Sequence, residues 1–250
     1  MKQSDILDFI LDEIESIPDH EITDVVCGAH IIGVESNKMG IATWASGQHP
    51  VPLEDLPVQP LKESAKELAQ SLLSDDPLKA SIGLAALNSL LPDPPPECLE
   101  EINAKDLILQ YGKAKNVAVV GHFPFVEQMG DNFAQFWVLE KNPRAGDLDA
   151  QETTRILPRA DLVAITATTL SNGTLAKILD LTSPNAVKIL IGPSTPLCLA
   201  VFKLGFDFLA GTIVKDRNLV KEGVISGCSF KKLKGLKHVV WVRGKNNIDK

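Results

Sequence analysis

The stretch from Ala160 to Leu197, ADLVAITATTLSNGTLAKILDLTSPNAVKILIGPSTPL, decides the fold. Twice within it a short apolar, β-branched run empties into a cluster of hydroxyls, amides and glycine, and an apolar helical pattern follows. That is the pattern of βαβ units, in which parallel strands deliver polar loops to one edge of a sheet and helices return the chain. Ligands of such sheets bind outside the carboxyl ends of the strands. A small molecule is therefore expected between Thr168 and Asn172 on one side and Ser194 and Thr195 on the other.

Working outward, further strand candidates run from Val117 to Gly121, Gln135 to Glu140, Asp207 to Val214 and His238 to Val242. With Leu162 to Thr166 and Lys188 to Gly192 they make six short apolar strands joined by crossovers. Their runs lack the in-out alternation of a one-sided antiparallel sheet, which predicts a doubly wound parallel sheet over residues 103–250. Upstream, Pro92-Asp93-Pro94-Pro95-Pro96 reads as a stiff linker spanning 92–102, because consecutive prolines donate no backbone hydrogen bonds. Residues 1–91 then form an α+β domain of their own. Ile6, Phe9, Ile10, Ile14 and Ile17 mark a first helix ending by Pro18, and Val25 to Glu35 with Gly40 to Ser46 read as a hairpin around Ser36-Asn37-Lys38-Met39. Pro50, Pro52, Pro57 and Pro60 interrupt regular structure before helices at Leu61 to Leu73 and Pro77 to Leu91.

The 250 residues carry a formal charge of -7, which argues against a nucleic-acid surface, since that needs a concentrated cationic face. The longest apolar runs fall short of the roughly 20 residues required to cross a bilayer. The acidic N-terminus, with Asp5, Asp8, Asp12, Glu13 and Glu15, is unlike a secretion signal, so a cytoplasmic location is expected. Cys27, Cys98, Cys198 and Cys228 show no C-x-x-C or finger spacing, as for reduced thiols. Cys27 and His30 are spaced C-x-x-H, but on one continuous strand they would face opposite sides and could not share an ion.

With Val119-Val120-Gly121-His122-Phe123-Pro124, Gly146-Asp147, the string Thr166 to Leu175 and Gly192-Pro193-Ser194-Thr195-Pro196-Leu197 laid out, the chain resembles a known Rossmann-like family, described as "Putative heavy-metal chelation". Its members carry an N-terminal domain similar to that of enolase. The resemblance covers essentially the whole chain. It implies an enolase-N-terminal-like domain followed by a Rossmann-like domain, and a link to metal chelation and to pterin-, flavin- or siderophore-like molecules.

The turn Gly121-His122-Phe123-Pro124-Phe125 departs from G-x-G-x-x-G. His122, Phe123 and Pro124 crowd the approach of a pyrophosphate and remove a donor, so NAD and NADP are not expected. Glu140 lies where a ribose-binding acid belongs, which leaves room for a nucleoside cofactor of the S-adenosylmethionine type. His122 can titrate near neutral pH, and Asp147 after Gly146 sits in a loop at the same edge; together they are the candidates for proton transfer. Gly121, Phe123, Gly146, Thr168, Thr169, Asn172, Gly192, Ser194 and Thr195 are expected to surround the ligand, with Asp147, Thr169, Asn172 and Ser194 facing one pocket. Trp44 could stack on a flat heterocycle if its strand end faces the cleft.

The expected function is thus that of a small-molecule protein with an interdomain cleft. It would catalyse condensation, hydrolysis or group transfer on a compact heterocycle or metal-chelating compound. A non-catalytic binder of a metal or its chelate and a methyltransferase-like enzyme are the alternatives. No metal is specified by the residues, and a homodimer is compatible with them.

Overall fold

In the computed structural model, which describes residues 1–45 and 64–245, the amino-terminal part is built from α1 (Gln3–Leu11), β1 (Asp24–Cys27), β2 (Ile31–Glu35), β3 (Met39–Thr43), α2 (Ala65–Ala69) and α3 (Pro77–Leu90). The prolines at 50, 52, 57 and 60, Ser46 and the start of the helix expected from Leu61 lie outside the described residues. The single strand expected over Val25 to Glu35 is instead two. Gly28 N–H donates to Ile31 O at 2.9 Å, closing a turn, and β1, β2 and β3 form an antiparallel meander. Cys27 and His30 are therefore separated by a turn rather than aligned along one strand. Alternation sends Ile32, Val34, Ala42 and Trp44 to one face of this small sheet and Val26, Ile31, Met39 and Ile41 to the other, and both faces are buried.

The remainder comprises β4 (Leu99–Glu100), α4 (Ala104–Gly112), β5 (Asn116–Val120), β6 (Gln135–Glu140), β7 (Leu148–Asp149), α5 (Thr153–Ile156), β8 (Leu162–Thr166), α6 (Thr168–Ser171), α7 (Leu175–Leu181), β9 (Val187–Ile191), α8 (Leu199–Lys203), β10 (Phe208–Val214), α9 (Arg217–Ile225) and β11 (Leu236–Val242). The eight strands lie in the order β4-β11-β10-β9-β8-β5-β6-β7. The six from β10 to β7 are mutually parallel, in the doubly wound order 3-2-1-4-5-6 when numbered along the chain. The strand expected at His238 to Val242 is present but antiparallel to β10, paired along its whole length from Phe208↔Val242 to Val214↔Leu236. The sheet is therefore mixed at that edge. The segment read as a linker ends by joining this sheet, with Leu99 opposite Trp241 and Glu100 opposite Val240.

Residues alternate across the large sheet as its burial on both faces demands. Ala118, Val120, Leu139, Val163, Ile165, Leu190 and Leu209 face one core, and Val117, Val119, Val138, Leu162, Ala164, Ile189 and Phe208 the other. The first core is continuous with the side chains of α1, α3 and Trp44, so the amino-terminal part packs directly on the large sheet. The second face of the small sheet is closed by Val220 and Val224 of α9 and by Leu233. Around that contact run the ion pairs Glu35–Arg217, Asp24–Lys221 and Lys38–Asp93. No helix among the described residues is long and apolar enough to cross a membrane.

Candidate functional site

The strand order reverses between β5 and β8, where the chain winds outward in both directions; in sheets of this topology the ligand crevice lies beyond the carboxyl ends at this point. Gly121, just past β5, has φ +105°, and a β-carbon there would lie 3.0 Å from Thr166 Cβ. Glycine thus lets the backbone turn close against Thr166 in a conformation that L side chains rarely adopt. The parallel pairing sets Val120 beside Leu139, so His122 and Glu140 emerge next to one another.

Glu140 shapes the loop. Its Oε2 accepts the His122 N–H at 2.8 Å and its Oε1 accepts the Lys141 N–H at 2.7 Å. Each carboxylate oxygen can accept more than one donor, so these bonds do not bear on the ribose-binding role expected of it. The loop beyond β6 folds back through Gly146, with Asp147 N–H donating to Arg144 O at 2.9 Å. It returns the Asp147 carboxylate to His122: Nδ1 stands 2.8 Å from Oδ2 and 3.0 Å from Oδ1, and the Arg144 N–H adds a donor to Oδ2 at 2.9 Å. The two side chains are only 6% and 3% exposed. A carboxylate only accepts, so Nδ1 carries the proton and, in the neutral ring, Nε2 is the lone-pair nitrogen. Nε2 is buried and has no hydrogen-bond partner among the described residues. Its nearest charged neighbour is Glu127 Oε1 at 3.9 Å, on a side chain 74% exposed.

The hydroxyl-rich loops divide between crevice and scaffold. Thr168 Oγ1 lies 3.0 Å from Thr166 Oγ1, beside Gly121. Thr169, buried, turns back to donate to Thr166 O at 2.7 Å. Asn172 Oδ1 accepts from Thr174 Oγ1 at 2.6 Å. Gly192 holds φ +129° and donates its N–H to Ala210 O at 3.0 Å. Ser194, expected as a ligand contact, is buried and accepts the Thr43 N–H at 2.8 Å, closing the open edge of β3. Asn88 Nδ2 ties the same junction, donating to Ile41 O at 3.1 Å and Ser194 O at 3.4 Å. Thr195 donates to Ala210 O at 3.2 Å.

The expected common pocket of Asp147, Thr169, Asn172 and Ser194 is therefore not formed, since backbone partners claim Thr169 and Ser194. Trp44 is fully buried and donates Nε1–H to Gly28 O at 2.7 Å, so its ring cannot stack on a ligand. Phe123 stacks on Phe125 with ring centroids 5.3 Å apart and packs against the core. What the structure assembles is Gly121, His122, Glu140 and Asp147, with Thr166, Thr168 and Glu127 beside them. Sequence reading missed Glu127; a carboxylate five residues beyond His122 in the same loop was the available signal.

None of the four cysteines is in a disulfide. Burial pushes the Cys27 thiol up to about 11 and Cys198 up to about 12, which makes both poor thiolate ligands. Among the described residues no group of three or more His, Cys, Asp or Glu side chains is arranged to hold a metal ion. Alkylation of the native protein at mildly alkaline pH should accordingly spare Cys27, Cys98 and Cys198 while denaturant exposes all four, as mass spectrometry of the modified protein would report. Prompt native labelling of Cys198 would contradict its burial.

Family comparison places these features. A family model described as "Putative heavy-metal chelation" matches residues 103–243, and a second model of the same description matches residues 11–91. An uncharacterized protein of Methanocaldococcus jannaschii is 30% identical, over 62% of this chain and 62% of its own length, so the match spans less than two thirds of that relative. A crystal structure of a protein with unknown function from Desulfitobacterium hafniense DCB-2, of the family matched at 103–243, superposes with a TM-score of 0.81 at 29% identity, covering 96% of this chain and 98% of that one. A second, from Pyrococcus horikoshii, shares the fold with a TM-score of 0.76 at 20% identity, covering 96% and 99%. The chain belongs to the family described as "Putative heavy-metal chelation".

Proposed function

We propose that the protein binds a small metal-chelating compound in the crevice between β5 and β8, with His122 Nε2 as its chemical handle. The observation that carries this reading is a single buried nitrogen, oriented by Asp147 and left without a partner. Burying an unsatisfied polar atom costs about 1–3 kcal/mol, a cost that a ligand able to accept the lone pair would remove. The partner is an electron-pair acceptor. Where it is an acidic hydrogen, Nε2 takes the proton, the ring becomes imidazolium and Asp147 stabilises it, which is the proton transfer that hydrolysis, condensation or group transfer requires. Gly121, Thr166 and Thr168 line the approach.

The same geometry argues against dinucleotides and nucleoside cofactors. The Gly121 N–H is spent on Leu139 O, the His122 N–H on Glu140, and Pro124 has none, so little of the turn remains to cradle a phosphate. Titration calorimetry with NAD, NADP and S-adenosylmethionine is expected to show no saturable micromolar binding. Native mass spectrometry of the gently purified protein is expected to show a retained small molecule that His122→Ala loses. A retained compound unaffected by that substitution would place the ligand elsewhere.

A further inference from the structure

Two electron-rich groups stand near each other in the loop after β5. His122 Nε2 offers a lone pair with no hydrogen-bond partner, and Glu127 Oε1 stands 3.9 Å away. Among the described residues no serine or cysteine is hydrogen-bonded to Nε2, so none of them is arranged as a nucleophile for this ring to activate. A lone pair and a carboxylate oxygen share one kind of partner, a cation. Imidazole nitrogen and carboxylate oxygen bind divalent ions at roughly 2.0–2.2 Å, so 3.9 Å is within the span of one bridging ion, and neighbouring coordination positions require Glu127 to move closer. The freedom of the exposed Glu127 side chain lets the gap close further. Asp147 on the opposite ring nitrogen completes the arrangement by which proteins orient a metal-binding imidazole and raise its basicity.

Resting on the crevice as the ligand site, the geometry points to His122 Nε2 and Glu127 as a two-donor contact for a divalent metal that arrives already held by its chelator. Two protein donors leave most of a metal's coordination sphere unfilled, and no third His, Cys, Asp or Glu joins them among the described residues. In this arrangement the chelator supplies the rest. The donor set is nitrogen and oxygen, which suits nickel, cobalt, zinc or iron rather than a soft ion that prefers thiolate. The cysteines do not alter this, since Cys27 and Cys198 are held as protonated thiols by burial. The protein therefore recognises a metal–chelate complex through its metal, and the free chelator alone does not satisfy the site.

Nickel nitrilotriacetate is a suitable probe because its chelator leaves two neighbouring coordination positions open. Calorimetry on the full chain should show this complex binding saturably at one per chain, while free nitrilotriacetate does not bind. Glu127→Gln, at an exposed position that does not threaten folding, should weaken it at least tenfold, and His122→Ala should reduce it to background. Asp147→Asn should cost about 10- to 100-fold through loss of ring orientation. Cys27→Ser and Cys198→Ser should leave it unchanged. With cobalt in place of nickel, the spectrum should lack a thiolate charge-transfer band. Equal binding by wild type, Glu127→Gln and His122→Ala would mean capture by other histidines and would overturn the metal contact. A retained compound that is lost in His122→Ala yet indifferent to Glu127→Gln and to metal removal would also overturn it, while leaving the crevice as the ligand site. Retention that survives His122→Ala would overturn both.

Discussion

Gly40→Ala is expected to destabilise the protein by about 3 kcal/mol or more, the range of severe overpacking in a closed core. A β-carbon at Gly40 would lie 2.2 Å from Ala85 O and 2.3 Å from Ser89 N, both backbone atoms of α3. Neither can swing away as a side chain does. Relief requires α3 to lift from β3, which breaks the core containing Leu84, Leu87, Ala42 and Trp44 and pulls Asn88 off Ile41 O. For a chain of this size such a loss lowers the melting temperature by roughly 6–12 °C. Urea and thermal denaturation measure it directly. Gly130→Ala, where a β-carbon meets nothing within 4 Å, is the control and should stay within about 0.5 kcal/mol of wild type. Equal stability of the two variants would mean that β3 and α3 are not packed backbone to backbone.

The second large effect is expected at Asp147. Asp147→Ala leaves the His122 Nδ1–H and the Arg144 N–H without their acceptor in a nearly closed site, a loss of about 2–3 kcal/mol by denaturant unfolding. Asp147→Asn separates orientation from packing. Its amide can donate to Nδ1, which reverses the ring so that Nε2 carries the hydrogen and no longer offers a lone pair. Nitrogen chemical shifts of His122 in the neutral ring should report Nδ1–H in wild type and a shift toward Nε2–H in Asp147→Asn. The retained compound should be lost alongside, although the variant stays folded. An Nε2–H tautomer in the wild-type protein would remove the basis for treating that nitrogen as the handle.

Much of the architecture was legible along the chain because strand and helix burial leave local periodicities. The six apolar runs from Val117 to Val242 all became strands, and the proline and asparagine or aspartate punctuation marked real boundaries: Asp76 before Pro77 caps α3, and Asn103 caps α4. The split of Val25 to Glu35 into β1 and β2 was hidden, since Gly28-Ala29-His30 interrupts an apolar run without a strong turn signature. The antiparallel direction of β11 was hidden too. A strand buried on both faces reads the same whichever way it runs, and direction is set by where the chain re-enters the sheet.

For the site, sequence alone determined that polar loops would gather at the carboxyl edge and that His122, Glu140 and Asp147 would emerge there, because parallel strands place their ends together. Only the tertiary structure decided which of those groups remain unspent. Ser194 is claimed by the Thr43 N–H on the open edge of a sheet 150 residues away in the chain, a demand invisible from Gly192-Pro193-Ser194-Thr195 itself. Thr169 is held by the carbonyl of Thr166, and Trp44 by the core and the carbonyl of Gly28. A hydrogen-bonding group's capacity is finite, and its partners are fixed by packing between distant segments. The residue types therefore name the candidates, and the three-dimensional accounting of donors and acceptors leaves one nitrogen, His122 Nε2, without a hydrogen-bond partner at the crevice among the described residues.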